Sequence, residues 1–262
     1  MTSAPRRTAR LTYGLAGVGC ALVLAEALPR MGIVDPRHLP PTSRIAAALA
    51  AELGRSGFWL AVADTVAAWA QGLAIAVVAG VACGVVIATV PGLRAVTAST
   101  IEFLRPIPSV ALIPLAILLL GTDIRSTLLL VVYASFWQVL VQVVAGIHDI
   151  DPVAADTARA FRLSAPQRIW HLALPTALPY VLTGVRLAAS VALVLAVTAE
   201  LVIGAPGLGQ EISVAMTAGA VPRMYALIAV AGVLGVAVNL AARGTEHRLL
   251  RWHPSVREEA TA

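Results

Sequence analysis

The chain has 262 residues and no lysine; all of its nineteen basic residues are arginine. That absence excludes two kinds of chemistry. A phosphate-binding loop of the G-x-x-x-x-G-K-[ST] type needs its lysine on the β- and γ-phosphates, and a Schiff base needs a lysine amine. Charge of either sign is scarce, at 13% of residues, where soluble domains carry about 25%. A surface so poor in charge cannot face water on most sides, so lipid is the expected solvent. Cysteine is nearly absent. Cys20 and Cys83 both fall in apolar stretches and are expected to be small core residues. Two cysteines support neither a disulfide framework nor a metal-ligand set. The five histidines (His38, His148, His171, His247 and His253) are expected in loops, outside the apolar segments, and no two aspartates share adjacent apolar segments. An intramembrane hydrolase built on a Ser–His or Asp–Asp pair therefore lacks its parts. The net charge of +5 raises nucleic acid as a partner, but the arginines are scattered between apolar blocks, and no nucleic-acid partner is expected.

Apolar residues make up 59% of the chain. A spanning helix needs about 20 of them in a row. The segments Leu11–Leu28, Val66–Val90, Pro106–Leu120, Ser126–Ile147, Tyr180–Ile203 and Met224–Ala242 predict an all-α membrane protein of about six transmembrane helices in a lipid bilayer. The first segment has a second reading. It follows Arg6, Arg7 and Arg10, and Ala25-Glu26-Ala27 resembles a cleavage site, so a signal peptide stays open. In the stretch before the second segment, Ser43 is expected to cap a surface helix over Ile45–Leu53. Cytoplasmic loops collect arginine. With the N-terminus inside, the inside loops hold Arg6, Arg7, Arg10, Arg94, Arg105, Arg159, Arg162, Arg168, Arg243, Arg248, Arg251 and Arg257. The outside loops hold Arg30, Arg37, Arg44, Arg55, Arg125 and Arg223. Twelve against six predicts both termini inside.

One inside loop is long and charged: DTARAFRLSAPQRIWHLALP, Asp156–Pro175. Asp151-Pro152 reads as an N-cap with proline at the first helical position, which predicts a helix from Pro152 to about Phe161. Ser164 with Gln167 reads as a capping box. The second helix is expected to end near Leu174, where Pro175 stops it. Phe161 and Leu163 are apolar at the corner, flanked by Arg159 and Arg162. An aromatic anchor ringed by arginines fits a protein-binding hot spot; the same pattern fits a helix lying on anionic lipid.

This loop resembles the E-A-A-x-x-x-G…L-P stretch of the membrane subunits of ABC importers. Asp156-Thr157-Ala158 stands where E-A-A stands and Leu174-Pro175 where the final L-P stands. The chain departs from that pattern in three places: Asp156 replaces Glu, Thr157 replaces Ala, and Arg162 stands at the Gly position. If the corner needs a positive φ, Arg is the poorer residue there, and the bend is then expected at Leu163-Ser164. Glu102–Gly121, EFLRPIPSVALIPLAILLLG, resembles the nitrate, sulfonate, taurine and thiamine-precursor branch of these permeases. So does Gly184–Gly209, with its G-x-R start, A-E near the end and G-L-G after it. The likeness covers about Phe58–Trp252.

The resemblance implies a type I ABC importer permease-like bundle with a cytoplasmic coupling helix. It implies two permease copies around a pathway and two ATPase subunits below, with an external substrate-binding protein that delivers a small solute such as sulfonate, taurine or nitrate. Residues Asp156, Thr157, Ala158, Arg159, Ala160, Phe161, Arg162, Leu163 and Ser164 would couple to the ATPase. ATP-Mg would sit on that partner, leaving this chain a transport subunit of the bacterial inner membrane with no cofactor and no enzymatic activity. The corresponding organisation is a tail over 1–10, a first span and external loop over 11–57, a permease core over 58–243 with the coupling loop at 148–179, and a tail over 244–262.

Candidate pathway residues are Pro106, Pro108, Pro114, Gln138, Gln142 and Glu200. Proline interrupts backbone bonding that lipid cannot replace, so Pro106–Leu120 is expected to face the bundle interior and line the passage. Ionisable groups inside spans are functional candidates. Glu200 fits substrate contact, a gate, a buried arginine pair, or the outer interface. Arg186 and Glu26 are expected to snorkel to interfaces. Gln138 and Gln142, with Ser135, share a helix face and fit an interhelix seam, a subunit contact or pore lining. Gly80 and Gly84 form a G-x-x-x-G that permits close helix approach. GAPGLG at 204–209 lacks the G-x-G-x-x-G pattern and reads as a turn or re-entrant lip. A secondary transporter remains the alternative; it would want inverted repeats and coupling-ion carboxylates, and neither is visible here.

Overall fold

The structure, a computed structural model, describes residues 5–250. Arg251, His253 and Arg257 of the expected tail, and the side chains of Arg6, Arg7 and Arg10, lie outside the described residues. The described residues form helices and no strand. The helices are α1 (Pro5–Arg30), α2 (Thr42–Leu53), α3 (Ser56–Thr89), α4 (Leu93–Leu104), α5 (Ile113–Leu120), α6 (Ile124–His148), α7 (Pro152–Ala160), α8 (Ala165–Arg168), α9 (Leu174–Ile203), α10 (Leu208–Thr217) and α11 (Val221–Leu249). Among the described residues five stretches are long and apolar enough to cross a membrane: Thr12–Arg30, Ser56–Thr89, Ile124–His148, Ala165–Ile203 and Val221–Leu249. A sixth exists if α4 and the Ser109–Leu120 segment, bent by 80° at their break, count as one span.

The chain divides into two compact units. One holds the described residues up to Leu60 with Glu211–Val230, the other Ala61–Gln210 with the described residues from Ala231. In the first unit, α2 begins after Pro41, with no cap from its own side chains. Ser43, expected to cap it, does not. Glu26 of α1 supplies the cap instead: its Oε2 accepts from Ser43 N at 2.9 Å and from Thr42 Oγ1 at 2.7 Å. A carboxylate at a helix N-terminus meets unpaired N–H groups and the positive end of the dipole. Glu26 also pairs with Arg30, so it is held by protein partners rather than simply snorkelling. At the far end of α2, Glu52 is buried and accepts from Arg223 Nε at 2.8 Å and Arg55 Nη1 at 2.7 Å; Arg223 also pairs with Glu211. Burial pushes the Glu52 carboxyl up, but the hydrogen bonds from Arg223 and Arg55 outweigh it and hold it below the ordinary 4.5.

The second unit is organised by small residues. Gly72, Ala76, Gly80 and Gly84 recur every four residues along α3. A β-carbon at Gly72 would lie 2.9 Å from Val131 Cβ, one at Gly80 2.8 Å from Val139 Cβ, and one at Gly84 2.8 Å from Val143 Cβ. The constant offset means that α3 and α6 run parallel, backbone close to side chain, as the G-x-x-x-G spacing permits. Helix α9 packs on α6 the other way. Gly146 meets Ala177 and Tyr180, Gly184 meets Gln142, and Ser135 Oγ donates to Ala188 O at 3.4 Å. As numbers rise on α6 they fall on α9, so the pair is antiparallel. Leu130, Val131, Ala192, Ala196 and Ala199 fill the core beside them, joined by Ile113 and Ala116 of α5.

One expectation fails here. Cys20 and Cys83 are exposed, not in the core. In lipid the outside of a span is as apolar as its inside, so hydrophobicity does not say which way a residue faces. Arg186 is paired: its Nη1 donates to Glu246 Oε2 of α11 at 3.0 Å.

Candidate functional site

The corner after α7 is built by local rules. Asp151 accepts from Val153 N at 2.6 Å, with Pro152 opening the helix. Arg162 N donates to Arg159 O at 2.9 Å and Leu163 N to Ala158 O at 3.0 Å. These two bonds are the Schellman closure of a helix, which places the residue after the C-cap in the left-handed region. That residue is Arg162, at φ +52°, the only non-glycine with positive φ among the described residues. The bend is therefore made at Arg162 itself and not at Leu163-Ser164. Ser164 and Gln167 then form the expected capping box, with Ser164 N 2.8 Å from Gln167 Oε1.

Arg159 pairs with Asp156 on the exposed face, and the Thr157 hydroxyl returns to Val153 O at 2.8 Å. Ala158 is buried beneath. Phe161 stands 79% exposed at the tip, and with Leu163, His171 and Leu172 it borders an open cleft.

Pro175 does not stop the second helix. After the single turn of α8 the backbone widens into a π-turn over Ile169–Ala173 and continues as α9, with Pro175 in its first turn. A proline early in an α-helix needs no N–H donor, and the wider turn lets the axis pass. The charged corner is thus continuous with a span of 39 residues.

At the other proline-rich segment, the chain breaks between α4 and Ser109. The Leu104 carbonyl there accepts from Ile107 N at 3.2 Å and from the Tyr133 hydroxyl of α6 at 2.6 Å. Across the next turn, Ser126 Oγ donates to Gly121 O at 2.5 Å and sits 3.1 Å from Ala116 O. Ile113 and Ala116 point into the core, but Pro106, Pro108 and Pro114 are exposed on this single chain. They do not face the interior of the chain's own helices.

Glu200 is 1% exposed. Its Oε2 accepts from Thr65 Oγ1 of α3 at 2.8 Å and from Gly209 N at 3.0 Å. Thr65 Oγ1 accepts in turn from Leu208 N at 2.9 Å. A β-carbon at Gly207 would overlap the Glu200 carboxyl group, and one at Gly209 the Val197 carbonyl. The GAPGLG stretch is therefore a loop folded tightly over one carboxyl group. No arginine pairs with that group among the described residues, and it does not reach a surface. Gln138 and Gln142 are half-buried; Gln142 packs against Gly184 in the α6–α9 seam. Among the described residues no group of three or more His, Cys, Asp or Glu is placed to hold a metal ion.

The sequence profile of the binding-protein-dependent transport system inner membrane components matches residues 76–251. The chain belongs to that family. The taurine transport system permease protein TauC of Escherichia coli (strain K12) is 28% identical over 252 residues, 94% of this chain and 92% of that protein. The putative aliphatic sulfonates transport permease protein SsuC of Bacillus subtilis (strain 168) is 32% identical over 156 residues, 60% of this chain and 56% of that protein. A chain from an inward-facing structure of the MetNI methionine ABC transporter shares the fold, with a TM-score of 0.63 at 20% identity, covering 72% of this chain and 96% of that one. This permease is an all-helical, multi-pass membrane subunit of an ABC importer and not an enzyme; the ATPase is a separate subunit.

The permease carries groups that sequence reasoning missed. Thr65 lies 135 residues from Glu200, and nothing in the local pattern of α3 pairs them. Tyr133 gave no signal beyond being a polar tip inside a span. The G-L-G after A-E was visible, but its purpose, room for a carboxyl group, was not.

Proposed function

We propose that this chain is the pathway-forming subunit of an ATP-driven importer for small sulfonates such as taurine, or similar small anions. Two copies enclose the pathway, with both termini in the cytoplasm, and an external binding protein delivers the cargo. ATP-Mg is bound and hydrolysed by a partner ATPase, and this chain holds no cofactor. The coupling surface is the loop of residues 156–164.

One observation carries the reading: a short, doubly capped helix between two spans ends in a rigid corner that holds Phe161 79% exposed. An exposed aromatic on a fixed backbone, with arginines beside it, suits a soluble partner. Because that corner runs without interruption into α9, a push on it is transmitted along a span. The cargo class rests on the names of the taurine and aliphatic-sulfonate relatives. The pathway surface would be the faces left exposed on one copy, Pro106, Pro108 and Pro114 among them, closed by the second copy. Gln138, Gln142 and Glu200 then act behind that surface, as helix seam and loop anchor.

The test is co-purification from the native host in mild detergent, with wild type, Phe161→Asp and Leu163→Asp side by side. An ATPase subunit that accompanies wild type and is lost with both variants supports the reading. A monodisperse wild-type chain that brings no ATPase subunit refutes it.

A further inference from the structure

Helix α7 has two working faces. Val153, Ala154, Thr157, Ala158 and Phe161 line the open cleft at the corner. Ala155 and Arg159 line a different one. At 100° per residue these two sets lie on nearly opposite sides of the helix. The second cleft, of about 600 Å³, is walled by the ends of α3 and α6 (Val90, Ile147, Ile150) and by the π-turn (Ile169, Leu172). Among the described residues its only charged lining groups are Arg159 and Arg168, and no carboxylate lines it. Arg159 is paired with Asp156, whereas Arg168 has no carboxylate partner among the described residues.

We infer that this cleft is a binding site for an anionic phospholipid of the bilayer. The location fits an amphiphile: it lies where two spans end and a polar helix crosses over them, so apolar depth meets a charged rim. Ile147, Ile150 and Leu172 offer the acyl chain a surface continuous with the spans. Arg168 offers the phosphate a planar fork of donors. In a zwitterionic headgroup the choline cation competes with Arg168 for the phosphate; an anionic headgroup leaves the phosphate charge to Arg168 alone. The lipid sits against the π-turn, a backbone distortion of the kind common at functional sites, and so braces the coupling helix from the side away from Phe161.

The full chain in detergent is titrated with phosphatidylglycerol or phosphatidylcholine, and bound lipid is counted by native mass spectrometry. Wild type is expected to prefer phosphatidylglycerol. Arg168→Ala is expected to weaken that binding about fivefold. Arg168→Lys retains most of it, and Ala155→Leu, which fills the cleft without changing charge, weakens both lipids. Arg248→Ala removes an arginine outside the cleft and serves as the control. Equal binding of the two lipids by wild type overturns the site. So does an Ala155→Leu chain that binds as wild type, or an Arg248→Ala loss equal to that of Arg168→Ala. If Arg168→Ala and Ala155→Leu lose a co-purifying ATPase subunit while phosphatidylglycerol binding is unchanged, the cleft belongs to the ATPase dock and the lipid site is refuted. A wild-type chain that brings no ATPase subunit yet holds phosphatidylglycerol through Arg168 sinks the importer reading and supports this site.

Discussion

Replacing Glu200 by alanine removes the acceptor that Gly209 N–H and the Thr65 hydroxyl share, at 3.0 and 2.8 Å. Both donors are buried and are left without a protein acceptor. A buried donor left unsatisfied costs about 1–3 kcal/mol in soluble proteins, while side-chain bonds between membrane helices average about 0.6 kcal/mol. Two such bonds place the cost of Glu200→Ala at about 2–4 kcal/mol. Thr65→Val loses the same Thr–Glu bond and also the acceptor for Leu208 N, for about 1.5–3 kcal/mol. Since one bond is counted in both, the double variant should cost about 1 kcal/mol less than the sum. The assay is unfolding of the purified chain in mixed dodecylmaltoside and SDS micelles, followed by tryptophan fluorescence, as a double-mutant cycle. Additivity within about 0.3 kcal/mol refutes the claim that Thr65 and Glu200 form one anchor for the loop at 204–209. A second check comes from the loop itself: Gly209→Ala, whose β-carbon overlaps the Val197 carbonyl, should be as damaging as Glu200→Ala, whereas an anchorless loop would absorb it.

At the corner, Arg162→Gly relieves a left-handed residue at φ +52°, worth about 1 kcal/mol; hydrogen exchange at the Leu163 amide should slow about fivefold, and Arg162→Ala should not reproduce this. Gly80→Ala should cost about 1–3 kcal/mol in the same unfolding assay. Val139→Ala should not rescue it, because the clash at 2.8 Å is with the Val139 β-carbon, which alanine keeps. Gly235→Ala, with its nearest neighbour 3.8 Å away, should instead be neutral or stabilising by up to about 1 kcal/mol. The depressed carboxyl of Glu52 contributes stability that is fully present above its ordinary 4.5 and is lost as pH falls through its lower folded value. Wild type should therefore lose more stability than Glu52→Gln on acidification from about pH 5 to about pH 3, and equal acid slopes would show that the Arg223–Glu52–Arg55 network contributes nothing measurable.

Local patterns were read most accurately. The capping of α7 by Asp151-Pro152 and the Ser164–Gln167 box were legible because each rests on residues within one turn. Span positions were legible because lipid demands about 20 apolar residues in a row, although their ends were drawn short: Tyr180–Ile203 became the last part of a stretch beginning at Ala165. Pro175 stops nothing because a π-turn admits it into the first turn of α9, and the corner bends at Arg162 because the Schellman bonds force the left-handed conformation on whichever residue follows the C-cap.

The sequence by itself determined the solvent, the placement of the long apolar helices, the charged loop and the family, since these depend on composition, on runs of residues and on short motifs. Only the tertiary structure decided which face of each span is enclosed. A water-soluble helix announces its buried face by a polar–apolar contrast; in lipid that contrast vanishes, and small residues and partners distant in sequence decide instead. Thus Gly72, Gly80 and Gly84 became a seam, Cys83 turned outward, Pro106, Pro108 and Pro114 were left on the surface, and Glu200 found Thr65 across 135 residues.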